Sequence, residues 1–285
     1  MVASRPARDA RFEEASVKIA VSGKGGVGKT TVCAALARAY AGAGQRVLVV
    51  DADPNNCLGE ALGFPPELLA KITPLSEMKD LLAERAGTAQ GGGFFSLSPR
   101  VDDLLERYGV SQDGITLLVM GSITQAASGC VCPESAVLRA LTRHLVEEEM
   151  VVLLDMEAGI EHLGRGTSQY VDVLLIVTEP TLASLHTVQR IAELSRQLGI
   201  PRRAVIGNKI GGPEAAEFVR RHAGDLPVIG LLPFDRRLGH VEFDPSTSLG
   251  TGAGLGALDP AFTREIEQVR RAIEESVEKG EKSWA

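Results

Sequence analysis

Gly23-Lys24-Gly25-Gly26-Val27-Gly28-Lys29-Thr30-Thr31 decides the fold. The apolar run Val17-Lys18-Ile19-Ala20-Val21 before it reads as a buried strand, and the alanine-rich run Val32–Tyr40 after it as a helix. Strand, glycine loop, helix is the setting in which G-x-x-x-x-G-K-[ST] binds phosphate, with Gly23, Gly28, Lys29 and Thr30 in the defining places. The glycines let backbone N–H groups curl around an anion. The helix N-terminus adds the positive end of its dipole. In that arrangement Gly25, Gly26, Val27, Gly28, Lys29, Thr30 and Thr31 contact the nucleotide phosphates. Lys29 neutralises the β- and γ-phosphates and the Thr30 hydroxyl takes one Mg²⁺ position.

Outward from the loop, apolar strands alternate with helical stretches. Arg46–Val50 ends in Asp51-Ala52-Asp53-Pro54, and Val151–Leu154 ends in Asp155. Further strands are expected at Ile115–Met120, Val173–Val177, Ala204–Gly207 and Val228–Leu232, and a helix at Leu182–Leu198. The alternation predicts an α/β fold: a doubly wound, mostly parallel sheet flanked by helices, in a single P-loop NTPase domain. Ligands in such sheets gather at the carboxyl ends of the strands. Asp51 and Asp53 share one face there, and two carboxylates beside a phosphate loop suit Mg²⁺ and water handling. Turn chemistry alone also favours both residues. Asp155 reads as the Walker B aspartate that holds Mg²⁺ through water. Asp155-Met156-Glu157-Ala158-Gly159 fits a switch II loop in which the Gly159 N–H senses the γ-phosphate.

The expected domain runs over 15–285, after a flexible tail at 1–14 that lacks the apolar segment of a secretory signal. Within it, 64–112 reads as a helical insertion, with Ser76–Ala86 and Val101–Tyr108 helical. Residues 244–256 read as a Gly/Ser/Pro-rich loop, and 260–279 as a C-terminal helix. Phe262, Ile266, Val269, Ile273 and Val277 line one face of that helix. Its other face mixes Glu with Arg and Lys, which favours packing on the domain over an anionic membrane. The 285 residues are 44% hydrophobic and 24% charged, an ordinary soluble composition. The net charge of -7 argues against a surface that coats nucleic acid. No apolar run reaches transmembrane length. The expectation is a cytoplasmic protein with neither nucleic-acid nor membrane partners.

Four cysteines in such a chain read as thiols or metal ligands rather than disulfides. Cys33, inside the first helix, reads as an apolar filler. Cys130-Val131-Cys132-Pro133-Glu134 stands apart. Pro133 suits the first turn of a helix, which puts Cys132 where the dipole favours a thiolate. Two thiolates fill two positions on a soft tetrahedral metal, and a symmetric dimer supplies the other two. Buried thiols or a redox pair are the competing readings of C-x-C.

The early lysine makes Lys24-Gly25-Gly26-Val27-Gly28-Lys29-Thr30-Thr31 resemble the deviant P-loop of the MinD, ParA and nitrogenase iron-protein ATPases. The resemblance implies an ATP-dependent homodimer in which Lys24 reaches the partner's nucleotide. It also implies that Asp53 orients the attacking water, that Asp51 supports the metal sphere, and that Asn208 and Pro233 line the adenine pocket. With Cys130-Val131-Cys132-Pro133-Glu134 and Asp155-Met156-Glu157-Ala158-Gly159-Ile160-Glu161-His162-Leu163-Gly164-Arg165-Gly166, the chain resembles more narrowly the CooC-type maturation ATPases. These deliver nickel to carbon monoxide dehydrogenase, and a sister branch serves acetyl-CoA synthase. The expected ligands are then ATP, Mg²⁺, and Ni²⁺ or Zn²⁺ on Cys130 and Cys132 at the dimer interface. The sequence leaves open the client, the choice between nickel and zinc, and the roles of Cys57, Glu157, Glu161 and His162. Two rivals share the loop: a metal-free positioning ATPase, and an electron-transfer ATPase with a bridging iron–sulfur cluster.

Overall fold

The computed structural model describes residues 17–53, 57–88, 96, 100–121, 137, 140–141, 144–145, 150–156, 171–235 and 258–279. The expected tail at 1–14, the Cys130/Cys132 motif, the segment 157–170 and the loop 244–256 lie outside them.

Among the described residues, eight strands form one sheet: β1 (Lys18–Gly23), β2 (Val47–Ala52), β3 (Val110–Gln112), β4 (Ile115–Val119), β5 (Val151–Met156), β6 (Val173–Thr178), β7 (Arg202–Ile210) and β8 (Val228–Pro233). Their order is β3-β4-β2-β5-β1-β6-β7-β8. All neighbours run parallel except β3, which pairs antiparallel with β4. Strands β1, β5 and β6 are buried at every position, as a sheet covered on both faces requires. Chain order reverses around β1, which lies between β5 and β6. The glycine loop therefore leaves the sheet at a switch point, where a crevice opens at the strand ends.

One face of the sheet is covered by α1 (Lys29–Gly42), α2 (Leu58–Leu62) and the C-terminal helix, α8 (Pro260–Glu278). The other carries α4 (Lys79–Ala86), α5 (Leu104–Tyr108), α6 (Leu182–Gln197) and α7 (Pro213–His222). The helical residues Val137, Leu141 and Leu145 are buried on that second face at four-residue spacing. A short helix α3 (Pro66–Leu69) follows α2.

The C-terminal helix spends its apolar face on the domain. Phe262, Ile266, Val269 and Ile273 are buried and Val277 is partly buried. Gly230 of β8 has no side chain, which lets Val269 Cγ2 come within 2.4 Å of where a Cβ would stand. Each fully buried side chain of this kind contributes about 1.5–3 kcal/mol, so the face is committed to the core. Asp259 caps the helix by accepting from the Ala261 N–H at 2.7 Å. Among the described residues no helix is long and apolar enough to cross a membrane.

The stretch 64–112 is only partly helical. Ser76–Ala86 divides into a 3₁₀ turn at Leu75–Glu77 and α4, and the second helix starts at Leu104 rather than Val101. Its end is the strand β3, joined to β4 through Asp113 (φ 50°) and Gly114 (φ 79°). Two successive positive φ values make the tight hairpin turn that an Asp-Gly pair favours.

Candidate nucleotide and metal site

Gly28 caps α1 with φ 92° and offers no side chain to the helix end. No acidic residue sits in the first turn. The N–H groups there are left for an anion. Lys29 is buried, Thr30 and Thr31 are half-buried, and Lys24, Gly25 and Gly26 are exposed at the loop's outer side. Lys24 thus stands where a second molecule could meet it.

The loop is braced from β7. Asn208 Nδ2 donates to the Val27 carbonyl at 2.8 Å. Lys209 Nζ donates to the Gly26 carbonyl at 2.6 Å and to Glu179 Oε2 at 3.1 Å. A Cβ on Gly28 would lie 2.3 Å from Asn208 Nδ2. Gly28→Ala therefore meets two costs: the left-handed conformation, about 1–2 kcal/mol, and the displaced Asn208 bond, about 1–3 kcal/mol. We expect the variant to lose about 2–5 kcal/mol in chemical denaturation and to bind ADP at least about tenfold more weakly. Wild-type affinity in calorimetry would contradict the close packing of loop against strand.

Register places the acids. Asp51 pairs with Asp155 across β2 and β5, and Asp155 with Val21 across β5 and β1. Both oxygens of Asp155 are buried without a hydrogen-bond partner. Burial pushes its carboxyl up to about 7, with the Asp51 charge adding to the rise and Thr30 and Lys29 only partly opposing it. A buried carboxylate with free lone pairs next to a threonine hydroxyl fits the donor set of a hard divalent cation. Asp155 and Thr30 are the residues that would hold Mg²⁺.

Asp51 has other work as well. Its Oδ1 accepts from the Asp53 N–H at 3.1 Å and its Oδ2 from the Leu58 N–H at 3.2 Å. It shapes the turn that carries Asp53 and satisfies a donor at the start of α2. Burial raises its carboxyl to about 6, and those two N–H groups lower it. Asp53 lies half-buried just past the end of β2.

At the far side of the crevice, Ile210 of β7 pairs with Pro233 of β8, and the Phe234 N–H donates to the Ile210 carbonyl at 3.1 Å. Asn208 and Pro233 therefore lie near the carboxyl ends of two neighbouring strands. The Asn208 Nδ2 is given to the loop. Lys209 and Glu179 were not singled out by the sequence reading. Their link to the loop spans 183 residues for Gly26, a separation that no local pattern announces. Cys33 is buried, as expected of a filler, and Cys57 is exposed. Cys130, Cys132 and Gly159 lie outside the described residues. Among the described residues, no group of three or more His, Cys, Asp or Glu side chains could hold a metal ion.

The sequence and the fold have relatives. Residues 18–244 match the CobQ/CobB/MinD/ParA nucleotide-binding domain. The carbon monoxide dehydrogenase accessory protein CooC of Rhodospirillum rubrum is 48% identical over 77% of this chain and 84% of its own length. The chain belongs to the CooC-type branch of the MinD/ParA nucleotide-binding family. An uncharacterised ATP-binding protein of Methanocaldococcus jannaschii is 42% identical over 89% of this chain and 96% of its own. Among solved structures, a ParA family ATPase of Chlorobium tepidum superposes with a TM-score of 0.64 at 18% identity, covering 90% of this chain and 98% of that one. The MinD cell division protein of Aquifex aeolicus gives 0.58 at 23% identity, covering 92% and 97%. These two show the fold, and membership of the family makes this protein an ATPase.

Proposed function

We propose that this ATPase matures carbon monoxide dehydrogenase by delivering nickel. The observation that carries the reading is the 48% identity with a carbon monoxide dehydrogenase accessory protein over most of both chains. The sequence adds Cys130-Val131-Cys132-Pro133-Glu134, a thiolate pair suited to a soft metal. ATP brings two copies together in the cytoplasm, and Lys24 of each reaches the nucleotide of the other. The two Cys130/Cys132 pairs then form one site for the nickel cargo. Asp53 directs water at the γ-phosphate, Gly159 senses that phosphate, and hydrolysis loosens the dimer. Nickel and nucleotide are coupled because each binds one of the two association states better than the other. The burial of the C-terminal helix's apolar face weighs against a positioning ATPase that binds membrane through this helix.

The test is reconstitution. Nickel-deficient carbon monoxide dehydrogenase, given nickel, ATP and this protein, is expected to recover CO oxidation. Lys24→Ala is expected to recover less than about a tenth as much, because an exposed lysine on the loop costs little stability but removes a contact to the transferring phosphate. Size exclusion with ATP should show the variant as a monomer. A client that gains no activity from the wild-type protein would end the maturation reading, and an ATP-dependent dimer of Lys24→Ala would end the cross-subunit role.

A further inference from the structure

We propose that Lys209 is a positioning residue for the phosphate loop, held on its target by Glu179. The inference rests on the reading of Gly23–Thr31 as the nucleotide loop and adds a residue to it. Lys209 adopts φ 58°, a left-handed conformation that a side-chain-bearing residue rarely takes. It sits where β7 loses register with β8, between Gly207 and Ile210. That break turns its ammonium onto the loop, 2.6 Å from the Gly26 carbonyl and 3.1 Å from Glu179 Oε2. The ion pair is partly exposed, with side-chain accessibilities of 39% and 24%. Such a pair adds little to folding. Strained backbone that contributes little to stability is found where geometry serves a site.

The geometry has a direct consequence. In a trans peptide the C=O and the following N–H point in opposite directions. Fixing the Gly26 carbonyl toward Lys209 therefore fixes the direction of the Val27 N–H. Fixing the Val27 carbonyl toward Asn208 does the same for the Gly28 N–H. The Val27 N–H makes only a long 3.5 Å bond to the Lys24 carbonyl, one that an incoming phosphate oxygen can replace. Lys209 and Asn208 thus set two successive donors of the anion cradle before nucleotide arrives. Glu179, at the corner between β6 and α6, aims the ammonium at Gly26 and keeps it off the phosphates themselves.

ADP binding by calorimetry, with apo melting temperatures alongside, tests this on the full chain. Lys209→Met should weaken ADP by about tenfold or more, as expected for a lost charged hydrogen bond, while the apo melting temperature stays near that of the wild type. Lys209→Arg, which keeps a cationic donor, should restore most of the affinity. Glu179→Gln should weaken ADP by a smaller factor. The double variant should be no weaker than Lys209→Met, because both act through one contact. Lys29→Ala, measured in parallel, separates the two readings. If it loses ADP and Lys209→Met does not, the positioning role fails and the nucleotide loop stands. If neither loses ADP, both readings fail. A loss in Lys209→Met that tracks an equal fall in apo stability, or that Lys209→Arg does not rescue, also overturns the positioning role.

Discussion

Asp155→Asn is expected to remove ATP hydrolysis and, above neutral pH, to make the nucleotide-free protein more stable. The carboxylate stands one residue before the end of β5 in a buried place, where the Thr30 hydroxyl and the Lys29 charge offset only part of its desolvation. Its carboxyl is raised to about 7, first by burial and then by Asp51. An acid raised in the folded state binds a proton that the unfolded chain has already released. Stability from this group is therefore full below the ordinary carboxylate range, falls as pH rises through about 4 to 7, and stays low above. The loss is of the order of a few kcal/mol. Asparagine keeps the shape and never ionises, so it escapes the loss. In Mg²⁺-free buffer the variant should melt several degrees above the wild type at pH 8, and the gap should close near pH 5. Hydrolysis should fall by about 100-fold or more, since the cation loses its protein carboxylate. Mg-ADP should raise the melting temperature of the wild type more than that of the variant. Melting curves at the two pH values decide the matter: a variant that is less stable at pH 8 would show that the buried charge is not a burden.

This trade between stability and function was half visible in the sequence. Apolar strands ending in Asp51 and Asp155 could be read directly, because parallel strands covered on both faces leave long hydrophobic runs and place their last residues at the crevice. The glycine loop was equally plain, since its spacing is set by the phosphate it wraps. What stayed hidden depends on contacts far apart in the chain. Nothing local shows that Asp51 accepts from the Leu58 N–H, that Asn208 donates to Val27, or that Lys209 leaves the ordinary strand conformation to reach Gly26. Strand β3 is a different case. Its Asp113-Gly114 turn is a hairpin signal present in the sequence, overshadowed by the helical periodicity of 101–108 beside it. The C-terminal helix was legible from its stripe alone, but its partner was not. Only the packing of Val269 over Gly230 shows why β8 carries a glycine there.

The second large effect concerns the cargo. Cys130→Ser with Cys132→Ser should leave ADP binding intact and lower nickel from about one per dimer to below about a tenth of that. The argument turns on what the other cysteines can offer. Cys33 is fully buried in α1, and burial, with the Asp155 and Asp51 charges behind it, holds its thiol well above the usual range. Its burial in the core keeps it away from an incoming metal ion. Cys57 is exposed at the start of α2, but its thiol is raised too, by burial and then by Glu60, Asp51, Asp53 and Asp155. Carboxylates around a thiol disfavour the thiolate that a soft ion prefers. Under the proposed reading, Cys130 and Cys132 supply the thiolates, and a four-thiolate tetrahedral site takes the pair from each of two copies. The metal should accordingly hold the dimer together. Nickel and molecular mass, measured together by size exclusion with elemental analysis, should fall in the same variant, while Cys33→Ser and Cys57→Ser change neither. Nickel retained by the double variant would move the site away from the C-x-C motif. Nickel lost with the dimer unchanged would mean that metal and association are separate, and that nucleotide alone brings the two copies together.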